Sequence, residues 1–288
     1  MPAPDLEQKC KAEALGALHH AADPVLLVNV WDIASARVIE QAGFPALATT
    51  SAGIAFVEGY PDGEQIPPER MLSCVAQIAE SVRVPVTADV EAGYGHTPEQ
   101  AFHTTQNVIS GGAVGMNFED ATGNPERPLA DLSLQVERIR AIRAAAAKSD
   151  VALVLNARTD VYLLQIGEPG KRYDETVRRL SAFRDAGADC VFAPGVRDAE
   201  TIGRLVKDLK CPLNILAVPG GPSAAELSAL GVKRISLGSG PMRAAIGLLR
   251  RLAEEVKAKG TWSAMDGAPS HAEMNDLMKA NREPGHGN

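Results

Sequence analysis

The sequence predicts an α/β protein of the (β/α)8, or TIM, barrel class that forms a single domain over residues 1–288. Short apolar segments rich in β-branched residues alternate along the chain with longer segments of helical amphipathic spacing. Eight apolar segments can be counted, and several helical segments end in a glycine step just before the next one. Eight such units in 288 residues fit a barrel, which is typically about 250 residues long, better than an open doubly wound sheet.

The predicted strands are short apolar runs spread over the whole chain. In order they are PVLLVNV from Pro24, ALATTS from Ala46, PVTADV from Pro85, VGMNFED from Val114, ALVLNAR from Ala152, CVFAPG from Cys190, LNILAVP from Leu213 and RISLGSG from Arg234. Because strand and helix patterns alternate throughout and no composition break appears, we expect no second domain.

The predicted helices show apolar residues at helical spacing, most clearly over residues 131–147, 174–186 and 241–257. Glycines in QAGFPAL, SGGAVGM, DAGADCV and ALGVKRI are typical of the left-handed backbone conformation that ends an α-helix. The first ~20 residues form a short extension, and residues from about 260 to 288 form a helical tail. Both segments look peripheral to the barrel.

Composition excludes several classes of function. A formal net charge of -7 and a pI near 5.5 argue against binding to duplex nucleic acid, which needs a clustered excess of Lys and Arg. The sequence contains neither an uninterrupted apolar run of about 18 residues nor a leader-like start, so we expect a cytoplasmic protein that does not associate with membranes. Four widely spaced cysteines indicate neither a disulfide framework nor a zinc site.

Polar residues collect at the ends of the first five predicted strands. They are Asn29 and Asp32; Thr49, Thr50 and Ser51; Asp89 and Glu91; Asn117, Glu119 and Asp120; and Asn156, Arg158 and Asp160. The last three strands end in Gly and Pro instead. Chemistry in these barrels collects at the carboxyl ends of the strands, so this distribution predicts a site on one side of that face.

Asp89 and Glu91 are two positions apart, and Asn117 and Glu119 repeat that spacing on the next strand. If both pairs stay extended, three or four acids converge, and like charges held this close require a cation or a proton. Mg²⁺, with Mn²⁺ as the alternative, is the oxygen-binding cation that this set favours. The competing interpretation places Asp89 and Glu91 on a solvated rim.

Arg158 follows the next predicted strand and supplies the opposite charge. A guanidinium binds two oxygens of an anion such as a carboxylate or phosphonate at once, so Arg158 is a candidate for substrate binding. The alternative is a structural salt bridge to Asp160 or Glu119.

Several of these motifs together resemble a known family. NVWDIASARVIEQAGFPALATTSAGIAFVEGYPDGE, PVTADVEAGYG, GAVGMNFEDAT and NART are similar to the isocitrate lyase and phosphoenolpyruvate mutase superfamily. The similarity runs from about Val28 to Gly240 and includes motifs on five consecutive strands.

The resemblance implies a barrel that assembles as a homotetramer, a dimer of dimers, with the last helix swapped between subunits. It implies Mg²⁺ bound with a small anionic 2-oxo acid or its enolate. By motif, Asp89, Glu91 and Glu119 match the metal acids and Asp62 an acid near the metal waters. In the TTSAG turn, Thr50, Ser51 and Ala52 match the substrate pocket, in which the N–H groups of Ser51 and Ala52 hold oxyanions; Arg158 matches the substrate-anion arginine. Arg158, Asp62 and Glu119 are the implied catalytic residues.

The predicted lid, EDATGNPERPLAD from Glu119, departs from both main branches. Isocitrate and methylisocitrate lyases carry a K-[KR]-C-G-H stretch there, and this chain has no cysteine, histidine or lysine in it. Phosphonate-processing members place a lysine directly after ED, where this chain has Ala121, although Asn124 remains a candidate substrate contact. The lid is polar and contains Gly and Pro, as a gating loop does; the alternative is an ordinary surface loop. Because the lyase stretch is missing, the resemblance is to the phosphoenolpyruvate mutase-like branch, from which this chain departs at Ala121.

The resulting functional hypothesis is a Mg²⁺-dependent lyase that cleaves a C–C bond in a small 2-oxo acid or a substituted malate, through a pyruvate enolate-like state. Two alternatives stay open: a phosphonopyruvate-type mutase or hydrolase, which Ala121 disfavours, and a 2-oxo-acid-binding protein without catalytic activity. The sequence identifies neither the exact substrate nor the general acid or base.

Overall fold

Parallel strands form one sheet in the computed structural model, which describes residues 5–279. The nine strands are β1 (Val25–Leu27), β2 (Asn29–Val30), β3 (Leu47–Thr49), β4 (Val86–Asp89), β5 (Gly115–Glu119), β6 (Val154–Arg158), β7 (Cys190–Phe192), β8 (Leu213–Leu216) and β9 (Arg234–Ser236). β1 and β2 are two parts of one strand interrupted at Val28. β1 pairs with β9 and β2 pairs with β3, which brings the two ends of the sheet together and confirms the predicted eightfold barrel.

Helices connect the strands on the outside of the barrel. Within residues 5–279 they are α1 (Leu6–Leu18), α2 (Ile33–Gln41), α3 (Ser51–Val57), α4 (Pro68–Ser81), α5 (Pro98–Ser110), α6 (Leu132–Ser149), α7 (Arg172–Asp185), α8 (Ala199–Leu209), α9 (Ala224–Ala229), α10 (Gly240–Lys259) and α11 (His271–Lys279), with short 3-10 helices at Pro169–Lys171 and Ser263–Met265. None of these helices is long and apolar enough to cross a membrane.

Local sequence explains where the helices begin and end. α2 begins after Asp32, whose carboxylate accepts a hydrogen bond from the Ser35 N–H at 2.7 Å, and α5 begins after Thr97 in the same capping-box arrangement. Gly112 and Gly187 adopt φ values of 85° and 112° directly after α5 and α7, a conformation that is unstrained only for glycine. The predicted glycine helix ends are thereby confirmed.

α1 lies across the N-terminal end of the barrel. Leu15 is fully buried there, and a Cβ on Gly115, at the start of β5, would lie 2.8 Å from a Leu15 methyl carbon. Gln8 Nε2 donates to the Ile109 carbonyl at 2.7 Å, which ties α1 to the end of α5. The N-terminal extension that the sequence places outside the barrel therefore forms its floor.

Polar side chains are unusually abundant inside the barrel. The buried ones that line the internal cavity include Asn29, Thr87, Asn117, Asn156, Asn214, Arg234 and Ser236. Branched apolar residues normally fill the interior of this fold. Here the apolar core lies instead between the strands and the surrounding helices, with Ile78, Ile139 and Leu205 fully or almost fully buried. The interior is thus available for a polar ligand.

The C-terminal tail extends from the barrel on α10, whose only buried residue is Met242. Ile246 and Leu249 on this helix are 45% and 58% exposed. α11 returns to the barrel, where Arg37 of α2 donates hydrogen bonds to the carbonyls of Leu277 and Met278. Residues 280–288 of the predicted tail lie outside the described residues, and exchange of the last helix between subunits stays a prediction.

Candidate active site

A cavity of about 530 Å³ opens at the carboxyl ends of the strands. The predicted site residues that line it are Thr50, Ser51, Ala52, Asp62, Asp89, Glu91, Glu119 and Arg158. Asn124 is not among its lining residues. The structure therefore brings together nearly all of the predicted site at one end of the barrel, where this fold carries its chemistry.

Asp89 is held from both sides at the end of β4. Its Oδ2 accepts hydrogen bonds from the Ser51 N–H at 3.0 Å and the Ser51 hydroxyl at 2.8 Å, and its Oδ1 accepts one from Asn117 Nδ2 at 2.8 Å. Thr50 caps the same turn by accepting a hydrogen bond from the Gly53 N–H at 3.2 Å. The carboxylate is thus fixed at the N-terminus of α3, and the Ser51 N–H, predicted as an oxyanion donor, is engaged by Asp89.

Glu91 reaches the cavity by a different backbone path from the one predicted. The predicted convergence is conditional on an extended backbone through residue 91, and that condition is not met: β4 ends at Asp89, and Glu91 has a left-handed φ of 52°. Its carboxylate accepts hydrogen bonds from the Glu64 N–H at 2.6 Å and from the Tyr94 hydroxyl at 3.1 Å. The Tyr94 N–H in turn donates to Glu64 Oε1 at 2.6 Å. Contacts between two loops therefore place Glu91, rather than strand alternation.

The turn that carries Glu91 is held in place by contacts with Phe118 and Arg138. Gly93 has a φ of 88°, and a Cβ there would lie 2.8 Å from the Phe118 ring. Arg138 of α6 donates hydrogen bonds to the carbonyls of Ala92 and Gly95. Tyr94 also has a positive φ, of 54°. These left-handed residues are costly in isolation, so the packing beneath the turn is what maintains it.

Arg158 is engaged by two carboxylates. Its Nη1 lies 2.6 Å from Glu119 Oε2, and its Nε and Nη2 contact the two oxygens of Asp160 at 2.5 and 2.9 Å. Burial by itself would lower the pKa of Arg158, but Glu119 and Asp160 raise it overall. Burial raises the pKa of Glu119, and Arg158 opposes that shift. Both salt bridges of the structural alternative are thus present, and Arg158 still lines the cavity.

Asp120, the second acid of the ED pair, points away from the cavity and organises this ion pair. It accepts hydrogen bonds from the Thr159 hydroxyl at 2.7 Å, the Asp160 N–H at 3.0 Å and Arg179 Nη1 at 3.1 Å. Burial raises its pKa to about 6, against the opposing effects of Thr159 and Arg179. Asp120 therefore fixes the backbone that presents Arg158 and Asp160.

The carboxylates fit a cation, although not as one ready-made set of direct ligands. Burial and, after it, the charge of Asp89 raise the pKa of Asp62. Burial and the charges of Asp89 and Asp62 raise the pKa of Glu91 to about 7. A cation relieves such mutual repulsion. Within residues 5–279 no group of three or more His, Cys, Asp or Glu side chains has the geometry to hold a metal. A hydrated Mg²⁺ needs only one or two direct carboxylates, and Asp89 is placed for that role.

The lid is a short hairpin beside the cavity. Ala121 pairs with Leu129, and the Thr122 N–H donates to the Pro128 carbonyl at 3.0 Å. Asn124 is exposed at its tip and accepts a hydrogen bond from the Glu126 N–H at 2.9 Å. In this conformation Asn124 stabilises the turn of the lid and makes no contact with the cavity.

Several cavity residues were not singled out by sequence reasoning. Glu64 positions Glu91, and Asn214 Nδ2 donates a hydrogen bond to the Ser236 hydroxyl at 3.1 Å. Asn156, by contrast, was predicted at a strand end, and it donates to Asn117 Oδ1 at 2.9 Å. Arg234 lines the same cavity. The available pattern was the alternation of Arg234 and Ser236 in RISLGSG and the single polar residue, Asn214, in the apolar run LNILAVP.

Comparison with known proteins identifies the family. A family model described as phosphoenolpyruvate phosphomutase matches residues 15–257. The chain belongs to this family. The match covers every strand of the barrel, and it confirms the superfamily that the strand-end motifs indicate.

Curated relatives of this phosphoenolpyruvate phosphomutase family member include proteins with and without an assigned activity. An uncharacterized Mycobacterium tuberculosis protein is 33% identical over 229 residues, which cover 80% of this chain and 83% of the relative. An oxaloacetate decarboxylase of Pseudomonas aeruginosa is 30% identical over 225 residues, which cover 76% and 75% of the two chains.

Solved structures share the same architecture. One from Burkholderia cenocepacia J2315 has a TM-score of 0.89 and 38% identity, covering 94% of this chain and 96% of the other. A 2,3-dimethylmalate lyase has a TM-score of 0.82 and 31% identity, with 93% and 94% coverage. A phosphonopyruvate hydrolase in complex with oxalate and Mg²⁺ has a TM-score of 0.83 and 26% identity, with 94% and 96% coverage.

Proposed function

We propose that this member of the phosphoenolpyruvate phosphomutase family is a Mg²⁺-dependent lyase. It cleaves a C–C bond either in a small 2-oxo acid, through a pyruvate enolate-like state, or in a substituted malate, through the enolate of the departing carboxylate fragment. One observation carries the proposal: Asp89 is held by Ser51 and Asn117 in the same polar cavity that Arg158 lines. A fixed carboxylate for the metal and a guanidinium for the substrate anion are two of the elements that such a reaction needs.

Asp89 would hold the metal directly, and Asp62 and Glu91 would hold its water ligands, because all three carboxylates line the cavity. When bound, Mg²⁺ supplies positive charge that stabilises the oxygen on which negative charge develops as the bond breaks. Mn²⁺ satisfies the same oxygen donors. The Mg²⁺ in the solved phosphonopyruvate hydrolase complex supports the choice of metal.

The protein's own groups bind and orient the substrate. The N-terminus of α3, with Ala52 at its second position, faces the cavity and favours negative charge there. Arg158 binds a substrate carboxylate from the opposite side, while Glu119 and Asp160 hold its guanidinium in a fixed orientation. Preorganised donors of this kind stabilise the enolate-like state more than the ground state. The lid, whose base residues Ala121 and Thr122 line the cavity, excludes water.

Cleavage of a C–C bond is favoured over cleavage of a P–C bond. Ala121 stands where the resemblance implies a lysine in phosphonate-processing members, and the relatives include an oxaloacetate decarboxylase and a 2,3-dimethylmalate lyase. The phosphonopyruvate hydrolase among the structural neighbours keeps P–C chemistry as the second candidate. A protein that binds 2-oxo acids without turnover is the third.

Product analysis by NMR separates these candidates. The purified protein is incubated with Mg²⁺ and with oxaloacetate, 2,3-dimethylmalate, 2-methylisocitrate or phosphonopyruvate in turn, with Asp89→Asn as the matched inactive control. We expect turnover of at least one of the first three substrates and none with Asp89→Asn or EDTA. Turnover of phosphonopyruvate alone would establish the second candidate, and saturable binding without turnover the third.

We further propose a homotetramer built as a dimer of dimers through α10. Ile246, Leu249 and Val256 leave an apolar surface on this helix, with exposures of 45%, 58% and 48%. Light scattering coupled to size-exclusion chromatography tests this proposal: a tetramer mass is expected for the full chain, and a smaller species for the variant Ile246→Glu with Leu249→Glu.

A further inference from the structure

Arg234 is a buried arginine on the floor of the cavity. It is the first residue of β9 and is only 2% exposed, and its register partner on β8 is Asn214. Both side chains line the cavity, so both point into the barrel. Neither Nε nor Nη1 of Arg234 has a hydrogen-bond partner among residues 5–279. The proposed function assigns Arg234 no role.

Other buried arginines among residues 5–279 also have an Nε without a partner, but they donate hydrogen bonds from their terminal nitrogens. Arg138 donates to the carbonyls of Ala92 and Gly95, and Arg179 contacts Asp120 at 3.1 Å. Burial lowers the pKa of Arg234, with Cys190 and Asp89 acting in the opposite direction. A guanidinium stays protonated in proteins, and a buried charge without partners is strongly unfavourable. An anionic or strongly polar occupant of the cavity would remove that penalty.

The neighbours of Arg234 favour an oxyanion as that occupant. Asn214 and the Ser236 hydroxyl lie 3.1 Å apart and line the cavity beside it, and each can donate a hydrogen bond. Asn156 Oδ1 and Thr87 Oγ1, which line the same cavity, also lack partners within residues 5–279, so further hydrogen-bonding capacity is unmet there. Ordered water alone is the competing occupant.

We propose that Arg234, flanked by Asn214 and Ser236, forms an anion subsite on the cavity floor that takes a carboxylate-like group. The group has two possible sources: a second carboxylate of the substrate, or a free small anion. The first source rests on the proposed function and assigns the substrate to the dicarboxylic acids. The second does not depend on that function.

Two measurements on the full-length protein test the subsite. Calorimetry with Mg²⁺ compares malate with lactate, two 2-hydroxy acids that differ in the second carboxylate. Anomalous diffraction from crystals soaked in bromide locates a free anion. Both use wild type and Arg234→Met, with Arg197→Met as the control because Arg197 is an exposed arginine at the rim of the same cavity. Equal urea unfolding of the variants checks their folding.

If the substrate supplies the carboxylate, Arg234→Met weakens the binding of malate at least tenfold and changes the affinity for lactate less than twofold. Arg197→Met changes neither affinity by more than twofold. If a free anion binds, bromide appears within hydrogen-bond distance of Arg234 in wild type and not in Arg234→Met, and neither acid is affected. Should Arg234→Met fail to fold, Arg234→Lys replaces it, with malate weakened at least threefold because the planar fork is lost.

Three outcomes have different meanings. Absence of bromide at Arg234 together with unchanged affinity for both acids overturns the subsite. Ordered water would then be the only occupant beside the Arg234 guanidinium. Equal weakening of malate and lactate also overturns it, since Arg234 would then only support the site as a whole. If neither acid binds wild type, the bromide map alone decides whether the subsite exists, and the product analysis by NMR decides the proposed function.

Discussion

Ser51 donates two hydrogen bonds to the same oxygen of Asp89, from its N–H at 3.0 Å and from its hydroxyl at 2.8 Å. The first turn of α3 and the end of β4 are thereby joined at the proposed metal ligand. We predict that Asp89→Asn lowers kcat/KM by more than about 100-fold and abolishes Mg²⁺ binding, because the amide removes the ligand charge. Steady-state kinetics and calorimetric titration with Mg²⁺ measure the two effects.

Ser51→Ala removes only the hydroxyl contact to Asp89 and keeps the N–H. A smaller loss, of about 5- to 10-fold in kcat/KM, is expected from one such hydrogen bond. The exposed Asp266→Asn is the control for loss of a carboxylate elsewhere. Mg²⁺ binding at wild-type affinity by Asp89→Asn would contradict the assignment of the ligand.

Arg158 cannot be removed without a cost to stability. Its loss leaves Glu119 and Asp160 as buried carboxylates without their cation, since their side chains are only 10% and 2% exposed. We predict that Arg158→Met abolishes activity and lowers the free energy of unfolding by about 3–5 kcal/mol. Adding Glu119→Gln to this variant should recover at least ~1 kcal/mol in urea unfolding but no activity. Full stability in the single variant would show that the ion pair contributes nothing.

Gly93 should be intolerant of any side chain for two separate reasons. Its φ is 88°, and a Cβ would lie 2.8 Å from Phe118, whereas Gly43 has a φ of 86° with no atom within 4 Å of that position. Gly43→Ala therefore reports the backbone cost alone, about 1–2 kcal/mol. We predict that Gly93→Ala costs at least ~1 kcal/mol more in urea unfolding and weakens Mg²⁺ binding by displacing the turn of Glu91. Equal effects of the two variants would exclude the contact with Phe118.

His19 should make the fold sensitive to acid. It is 1% exposed, and burial, with the charge of Arg234, lowers its pKa from 6.5 to about 4. Because the unfolded chain takes up the proton at higher pH than the folded chain, stability falls as the pH drops from about 6.5 to about 4. At pH 5 this contribution amounts to about 2 kcal/mol.

Urea unfolding of His19→Gln at pH 7 and pH 5 measures that contribution. The variant should lose about 2 kcal/mol less than wild type on acidification, whereas the exposed neighbour variant His20→Gln should behave like wild type. The same pH dependence in wild type and His19→Gln would assign the acid sensitivity to other groups.

Alternation of strand and helix patterns was enough to predict the barrel, because the spacing of apolar residues and the glycines that end helices are local properties of the chain. The strand-end rule likewise located Asp89, Glu119 and Arg158, which all line the cavity. Glu91 also lines the cavity, but it does not reach it through the extended backbone on which its predicted convergence with Asp89 depends. The left-handed backbone at Glu91 depends on Glu64, Phe118 and Arg138, which are distant in sequence and meet only after the barrel closes.

Arg234 shows a second limit of sequence reasoning. An arginine at the start of RISLGSG is equally compatible with a solvated strand end, and only the register with Asn214 shows that it faces inward. Asn124 shows the reverse case. Its position in the lid predicts a substrate contact, but the local turn provides a nearer partner in the Glu126 N–H. In both cases the outcome depends on competition between partners that spacing alone does not rank.

The position of α1 has a consequence for how ligands enter and leave the cavity. Leu15 fills the N-terminal end of the barrel against Gly115, and the cavity opens at the opposite end, on the face with the lid. Under the proposed function, substrate would enter and both fragments would leave through that open face. Under the proposed cleavage, the fragment nearer the floor would therefore leave after the fragment nearer the lid.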